Sequence, residues 1–118
     1  MARQRVALVI PTLNEAKAIG GVLAEVPPGA VDDIIVADSS SSDRTVEIAQ
    51  RAGARVVSLR ERGYGRACRA GAEAAQDCDI IVFIDGDGSD SPEFTRVARS
   101  KRGWTISGRL SRAASSIV

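Results

Sequence analysis

Short apolar runs alternate with segments of helical periodicity along the chain. The runs are rich in Val and Ile and too short for helices, a pattern that is typical of strands buried on both faces. They predict strands at residues 6–10, 34–37 and 80–84. Residues 55–59 are predicted as a further strand, and residues 104–106 are a fifth candidate.

The segments between these runs carry helix signals. Thr12 and Glu15 have the spacing of a capping box, and apolar residues follow at helical spacing over residues 19–26, so we predict a helix that opens at this box. Further helices are predicted from about residue 43, over residues 65–76, and from Pro92 with Ser91 as its N-cap.

Alternating strands and helices joined by short loops predict right-handed βαβ units. The predicted fold class is therefore α/β, with a three-layer, mostly parallel sheet and helices on both faces in a Rossmann-like arrangement. A chain of 118 residues is sufficient for one small domain.

Charge is distributed unevenly along the chain. Residues 95–118 carry six basic and no acidic side chains, whereas residues 1–94 carry all fifteen acidic ones. A basic segment of this kind either binds phosphate, anionic lipid or nucleic acid, or is simply a solvated end.

The cysteines, the apolar stretches and the lack of histidine bear on the compartment, on membrane spanning and on the available catalytic groups. Cys68 and Cys78 show neither metal-ligand spacing nor a disulfide framework, which fits a reducing cytoplasm. Every apolar stretch is shorter than the ~20 residues that cross a bilayer. The chain has no histidine, which removes the most common general base from consideration.

Polar residues follow three of the predicted strands. They lie at residues 11–15, at residues 38–43, and at Asp85 and Asp87. Because the carboxyl ends of parallel strands share one edge, these loops are expected to line a single crevice of nucleotide size. Two carboxylates so spaced favour Mg²⁺ or Mn²⁺ with bound phosphates, although Asp and Gly are also common in plain turns.

Several neighbouring residues have two possible roles. Asn14 and Glu15 are either helix-start residues, ligand contacts or both. Asp38 accepts hydrogen bonds either from a base or ribose, or from neighbouring serine and backbone donors.

Four other site types fit less well. A calcium-binding helix-loop-helix is disfavoured because Asp90 stands at its required glycine and Arg96 at its bidentate glutamate. Gly63 and Gly65 begin a dinucleotide fingerprint, but Cys68 occupies the third glycine position, and the chain lacks a P-loop. A phosphoacceptor receiver domain also gathers acidic residues at strand ends, but the lysine expected on a late strand is missing.

Taken together, the motifs resemble those of family 2 glycosyltransferases of the GT-A fold, particularly the dolichyl- or polyprenyl-phosphate sugar transferases. The resemblance covers about residues 4–94, and Asp85-Gly86-Asp87 is similar to the family's DxD metal motif. The other matching segments are residues 9–15, 37–45, 63–67 and 91–93.

This resemblance implies a nucleoside diphosphate sugar as donor and Mg²⁺ or Mn²⁺ as cofactor, with the base and ribose held near Pro11, Leu13 and Glu15 and the base recognised by Asp38. The implied metal ligands are Asp85 and Asp87. The full implied donor-binding set is Pro11, Thr12, Leu13, Asn14, Glu15, Asp38, Ser40, Asp85, Gly86 and Asp87.

The chain departs from the family pattern in three ways. Ser39 and Ser40 replace the Asp-Gly or Asp-Asn pair that often follows the base-reading aspartate, and Ser89 replaces a glutamine, so donor identity or affinity is expected to differ. Such catalytic domains also usually continue further. We therefore expect a donor-binding domain over residues 1–94 and a remnant of the acceptor half over residues 95–118.

The remaining expectations concern the acceptor and the location. The resemblance implies a polyprenyl phosphate as acceptor, and an ionised phosphate needs no general base, which is consistent with the absence of acidic residues after Glu93. We expect a cytoplasmic protein with peripheral contact to the inner membrane face, a homo-oligomer formed through an exposed sheet edge, and no nucleic-acid partner. The alternative is a non-catalytic fragment that binds nucleotide-sugar but transfers nothing.

Overall fold

A computed structural model describes residues 4–86, 93–100 and 103–111, with side chains described over residues 4–86. This part of the chain contains six strands and three helices. In chain order they are β1 (Val6–Thr12), α1 (Ile19–Ala24), β2 (Asp33–Asp38), α2 (Thr45–Arg51), β3 (Arg55–Ser58), α3 (Tyr64–Ala74), β4 (Ile80–Phe83), β5 (Glu93–Ser100) and β6 (Gly103–Ser111).

The six strands form one sheet in the order β3-β2-β1-β4-β5-β6. The first four strands in that order are parallel, whereas β5 pairs antiparallel with β4 and β6 antiparallel with β5. Strand β1 lies between two parallel neighbours, and all seven of its residues are buried. This arrangement confirms the predicted α/β fold and the four predicted parallel strands.

The core divides into two clusters, one on each face of the sheet. Leu8 and Ile10 of β1 pack with Ile19 of α1 on one face, whereas Val9 packs with Ala75, just after α3, on the other. Successive residues of a strand point to opposite faces, so the apolar run of β1 supplies both clusters. Helices therefore cover both faces, as predicted.

Helix α3 lies unusually close to the sheet. Gly71 is buried against β1, and a Cβ atom at this position would overlap Cγ1 of Val9. Ala67, one turn earlier, is also buried. This small-residue face fixes the position of α3 relative to the carboxyl edge of the sheet, because a bulkier residue at position 71 would force the two elements apart.

The predicted capping box does not form. Helix α1 begins at Ile19, and Ala18 is its N-cap residue. Thr12 instead ends β1, and its hydroxyl donates to Oδ1 of Asp38 at 2.7 Å. The local sequence pattern assigns the Thr12 hydroxyl to the start of a helix, but this hydroxyl instead binds the buried carboxylate of Asp38, which is distant in the sequence.

The helix predicted from Pro92 is also wrong. Residues 93–100 form β5, which pairs with β4 from Ile80↔Ala98 to Phe83↔Thr95. Ser91 and Pro92 themselves lie outside the described residues. Strand pairing satisfies the backbone groups on the free edge of β4, and Phe, Thr and Val in this segment favour strands, so tertiary pairing outweighs the local capping pattern.

The fifth strand candidate is confirmed, because residues 104–106 lie within β6. The outer strands of the described sheet are β3 and β6. Among the described residues, none of the helices is long and apolar enough to cross a membrane.

Candidate functional site

A cavity of about 280 Å³ opens at the carboxyl edge of the parallel strands. This is the edge at which open α/β sheets bind their ligands. Six residues predicted from the sequence line it: Pro11, Thr12, Leu13, Glu15, Asp85 and Gly86. The structure therefore brings the segments after β1 and β4 together around one space.

Asp38 lies beside this cavity as a buried carboxylate, with only 2% of its surface exposed. Its Oδ1 accepts the hydroxyl of Thr12 at 2.7 Å and that of Ser41 at 2.5 Å, and its Oδ2 accepts the backbone N–H of Ser41 at 2.9 Å. The sequence left two sets of donors open for Asp38, and the neighbouring serine and backbone donors are present in the structure. Its role in reading a base stays a prediction.

Asn14 joins the loop after β1 to the loop after β2. It has a positive φ of 54°, its N–H donates to Oγ of Ser41 at 2.8 Å, and its Oδ1 accepts the N–H of Ser42 at 2.8 Å. The N–H of Glu15 donates to Oγ1 of Thr45 at 2.9 Å. Asn14 is thus placed as a link between the loops, outside the cavity lining, whereas Glu15 reaches the cavity.

Asp43 also connects the loop after β1 to the loop after β2, because its carboxylate accepts the N–H of Ala16. Hydrogen bonds from the side chain and backbone of Thr45 and from the backbone of Ala16 lower the pKa of this carboxyl group. A lowered pKa means that these donors stabilise the charged form of the Asp43 carboxyl group.

Two adjacent serines after β2 have different positions. Ser40 has a positive φ of 61°, and its hydroxyl lies within 2.6 Å of the carbonyl of Leu59 and 2.8 Å of that of Arg60. It therefore binds the segment after β3 and does not line the cavity. Ser39, which is 3% exposed, lines the cavity and donates to the carbonyl of Gly63 at 3.3 Å.

Sequence reasoning missed four lining residues: Ser39, Gly63, Tyr64 and Ala67. Ser39 comes directly after the last residue of β2, a position that would have identified it. Tyr64 begins α3 and is the only tyrosine in the chain. The sequence signal that could have identified Tyr64 as a site residue is its position as an isolated aromatic residue at the carboxyl edge of the sheet.

The phenol of Tyr64 lies against Asp85, with 3.4 Å between its oxygen and Oδ1 of the carboxylate. Desolvation, together with the nearby Cys68 thiol and the Asp85 charge, raises the pKa of Tyr64 to about 12. The phenol is therefore protonated at neutral pH and donates to the carboxylate, which can only accept when ionised. Burial likewise raises the pKa of the Cys68 thiol.

Asp85 is exposed at the cavity and offers hard oxygen donors. Mg²⁺ is commonly held by one or two carboxylates together with substrate phosphates, so this donor fits Mg²⁺ or Mn²⁺. Asp87, the second predicted ligand, lies outside the described residues. Among the residues that are described, no group of three or more Cys, Asp or Glu forms a complete metal site.

Gly86 allows the end of β4 to lie directly against β1. A Cβ atom here would lie 2.8 Å from Cγ2 of Thr12 and 3.2 Å from Cγ2 of Ile10. Real Cβ atoms essentially never approach other atoms to 2.8 Å, so a side chain at this position would push the segment after β4 away from β1.

The comparison with known families agrees with this geometry. The model of glycosyl transferase family 2 matches residues 7–99. The chain belongs to this family. The matched region contains every residue that lines the cavity.

Individual family members match the same region. A glycosyltransferase of Mycobacterium tuberculosis, itself uncharacterised, is 43% identical over 89 residues, which are 75% of this chain and 39% of the relative. The dolichyl-phosphate hexose transferase of Haloferax volcanii is 40% identical over 91 residues, with the same two coverages of 75% and 39%.

Solved structures of glucosyl-3-phosphoglycerate synthase from Mycobacterium tuberculosis share the fold. One contains Mn²⁺, UDP and glucosyl-3-phosphoglycerate, and matches with a TM-score of 0.62 and 37% identity over 70% of this chain and 33% of that one. Another contains Mg²⁺ and UDP. These likenesses support the GT-A fold, and the chain spans only 33% to 39% of the length of these relatives.

Proposed function

We propose that this chain is the donor-binding part of a metal-dependent glycosyltransferase, which binds a nucleoside diphosphate sugar and transfers the sugar to an acceptor. One observation carries the proposal. The cavity at the carboxyl edge joins Leu13 and Glu15, predicted to hold a nucleoside, to Asp85, predicted to hold a metal. A nucleotide with attached phosphates needs contacts of both kinds in one place.

The relatives support a UDP donor and a divalent cation, because solved structures of glucosyl-3-phosphoglycerate synthase contain UDP with Mn²⁺ or Mg²⁺. In this chain Asp85 and Asp87 would hold the ion. When bound, such an ion offsets the negative charge that grows on a nucleoside diphosphate leaving group.

The chain's other residues act by orientation. Leu13 is exposed at the cavity and offers apolar surface to a base, whereas Glu15 offers carboxylate oxygens to ribose hydroxyls. Asp38 holds Thr12 and Ser41 in place and so fixes the loops around the donor, in addition to its predicted role in base recognition. Preorganised contacts of this kind reduce the ordering that donor binding requires.

For the acceptor we propose a polyprenyl phosphate. Two relatives are named for phosphate-bearing molecules, dolichyl phosphate and 3-phosphoglycerate. A phosphate oxygen is already ionised and would attack without a general base.

Isothermal titration with UDP-glucose and GDP-mannose, each with and without Mn²⁺, tests donor binding. We expect one nucleotide-sugar to bind with at least about tenfold higher affinity when Mn²⁺ is present, since Asp85 and Asp87 would hold the ion and its charge would offset that of the donor phosphates. Absence of heat with both donors in the presence of Mn²⁺ would contradict the proposal.

Transfer is tested separately with a radiolabelled donor and three arms: a polyprenyl phosphate, 3-phosphoglycerate, and no acceptor. Label in the lipid phase supports the proposed acceptor, and label only in the phosphoglycerate arm replaces it with a small-molecule one. Donor binding without label in either product supports the alternative of a non-catalytic nucleotide-sugar-binding fragment.

We further propose that residues 1–94 form the donor unit and that residues 95–118 lie on the acceptor side, in a cytoplasmic protein at the inner membrane face. The six basic side chains of residues 95–118 support contact with anionic lipid. The outer position of β6 in the described sheet supports pairing with a second copy. Cosedimentation with anionic against zwitterionic vesicles tests the first contact, and light scattering that shows only monomer would exclude the second.

A further inference from the structure

Tyr64 is an exposed aromatic residue at the cavity with no role in the function so far. Over residues 4–86, Leu13 and Tyr64 are the large hydrophobic side chains that are exposed, 37% and 65% respectively, and both line the cavity. Leu13 already has a predicted contact with the donor. The exposure of Tyr64 at the same cavity needs its own explanation.

Tyr64 contacts Asp85, the predicted metal ligand. Its phenol oxygen lies 3.4 Å from Oδ1 of Asp85, and among the side chains of residues 4–86 no other donates a hydrogen bond to this carboxylate. A contact of this length is longer than an ideal O–H···O hydrogen bond, but contacts in ligand-free sites often shorten when the ligand binds.

The fold fixes the place from which Tyr64 reaches Asp85. Tyr64 is the first residue of α3, and Gly71 of the same helix packs directly on Val9. The position of α3 against β1 therefore places the Tyr64 phenol beside the Asp85 carboxylate.

We propose that Tyr64 is a positioning residue for the metal site, whose phenol hydroxyl orients the Asp85 carboxylate for binding a divalent cation together with the donor phosphates. This inference rests on the proposed function. Carboxylates that bind metals are themselves usually hydrogen-bonded, and loss of such a partner typically lowers metal affinity about 10- to 100-fold. The long, partly exposed contact here places the expected effect at the lower end of that range.

The variant Tyr64→Phe tests this role because it removes the hydroxyl and keeps the ring. By isothermal titration with UDP, we expect the affinity for Mn²⁺ to fall about 10-fold, which is the lower end of the loss expected when a metal-binding carboxylate loses a hydrogen-bond donor. The affinity for UDP without metal should stay within about twofold of wild type, because a hydroxyl aimed at Asp85 has no part in metal-free binding. Arg69→Ala, an exposed position on the same helix, is the matched control and should change neither value.

A spectroscopic measurement distinguishes orientation from general damage. Tyr64 is the only tyrosine, so protein labelled with [¹³Cζ]tyrosine gives one resonance that reports on this phenol. Addition of Mg²⁺ and UDP should shift this resonance in wild type, and the shift should disappear in Asp85→Ala.

Three results would overturn the inference, and they are distinguishable. Unchanged Mn²⁺ affinity in Tyr64→Phe, with normal metal-dependent binding in wild type, rejects the role of Tyr64 alone. A resonance that does not respond to Mg²⁺ and UDP, although wild type binds both, does the same. Wild type that shows no metal-dependent binding of UDP or GDP rejects the proposed function and this inference together.

Discussion

Substitution of Asp85 by alanine is expected to reduce kcat/KM for sugar transfer by at least about 100-fold and to remove the metal-dependent increment in donor affinity. Removal of a single group that stabilises developing charge typically costs about 10²- to 10³-fold in rate. Asp85 is exposed at the cavity, so the same substitution should leave thermal unfolding nearly unchanged. Steady-state kinetics over a range of Mn²⁺ concentrations, together with a thermal melt, measure both effects.

Two further variants make this result specific. Asp85→Asn keeps the size of the side chain but not its charge, and should retain only a small part of the metal response. Asp77→Ala removes an exposed carboxylate from the loop before β4, at the opposite edge of the sheet, and should behave as wild type. Normal Mn²⁺-dependent donor binding by Asp85→Ala would remove this residue from the metal site.

Substitution of Asp38 by alanine is expected to lower the free energy of unfolding by about 3 kcal/mol, because it leaves buried donors without an acceptor. The hydroxyl of Thr12 and both the hydroxyl and the N–H of Ser41 depend on this 2%-exposed carboxylate. Urea denaturation followed by circular dichroism measures the loss. Donor affinity should fall as well, because the loops after β1 and β2 are no longer joined at this point.

The amide variant separates the contributions of the two carboxylate oxygens. In Asp38→Asn, Oδ1 still accepts from Thr12 and Ser41, but the new NH₂ group faces the N–H of Ser41, so we expect an intermediate loss of stability. Asp77→Ala is again the control and should change stability by less than about 0.5 kcal/mol, as is usual for exposed ion pairs. A loss of that small size in Asp38→Ala would show that the hydrogen bonds at Asp38 contribute little.

The fold was largely predictable because the strongest sequence pattern, the short apolar runs, marks the residues that pack in the core. Three apolar runs became the buried strands β1, β2 and β4, since none was long enough for a helix, and the Val-rich segment at residues 55–58 became the outer strand β3. The starts of helices were less predictable. Thr12 matched a capping box, yet its hydroxyl is bound by Asp38, 26 residues away, and no local pattern contains that contact.

The sequence predicted which loops form the site, but it did not predict which side chains of those loops line the cavity. A loop position follows from strand order, whereas its side-chain directions follow from backbone angles that the sequence does not show. The positive φ of Ser40 directs its hydroxyl to the carbonyls of Leu59 and Arg60 and leaves Ser39 at the cavity. Tyr64 was missed for a related reason, because its contact with Asp85 depends on how closely α3 packs on the sheet.

The two glycine contacts at positions 71 and 86 have a consequence for how this site changes during evolution. Gly71 of α3 and Gly86 after β4 lie so close to Val9 and Thr12 of β1 that almost any larger residue at either position shifts a whole helix or strand. Leu13 at the mouth meets no such constraint, because it is exposed and makes no contact with a predicted metal ligand among the described residues. New preferences for the base are therefore expected to arise by exchange of this outer residue, with the inner framework left intact.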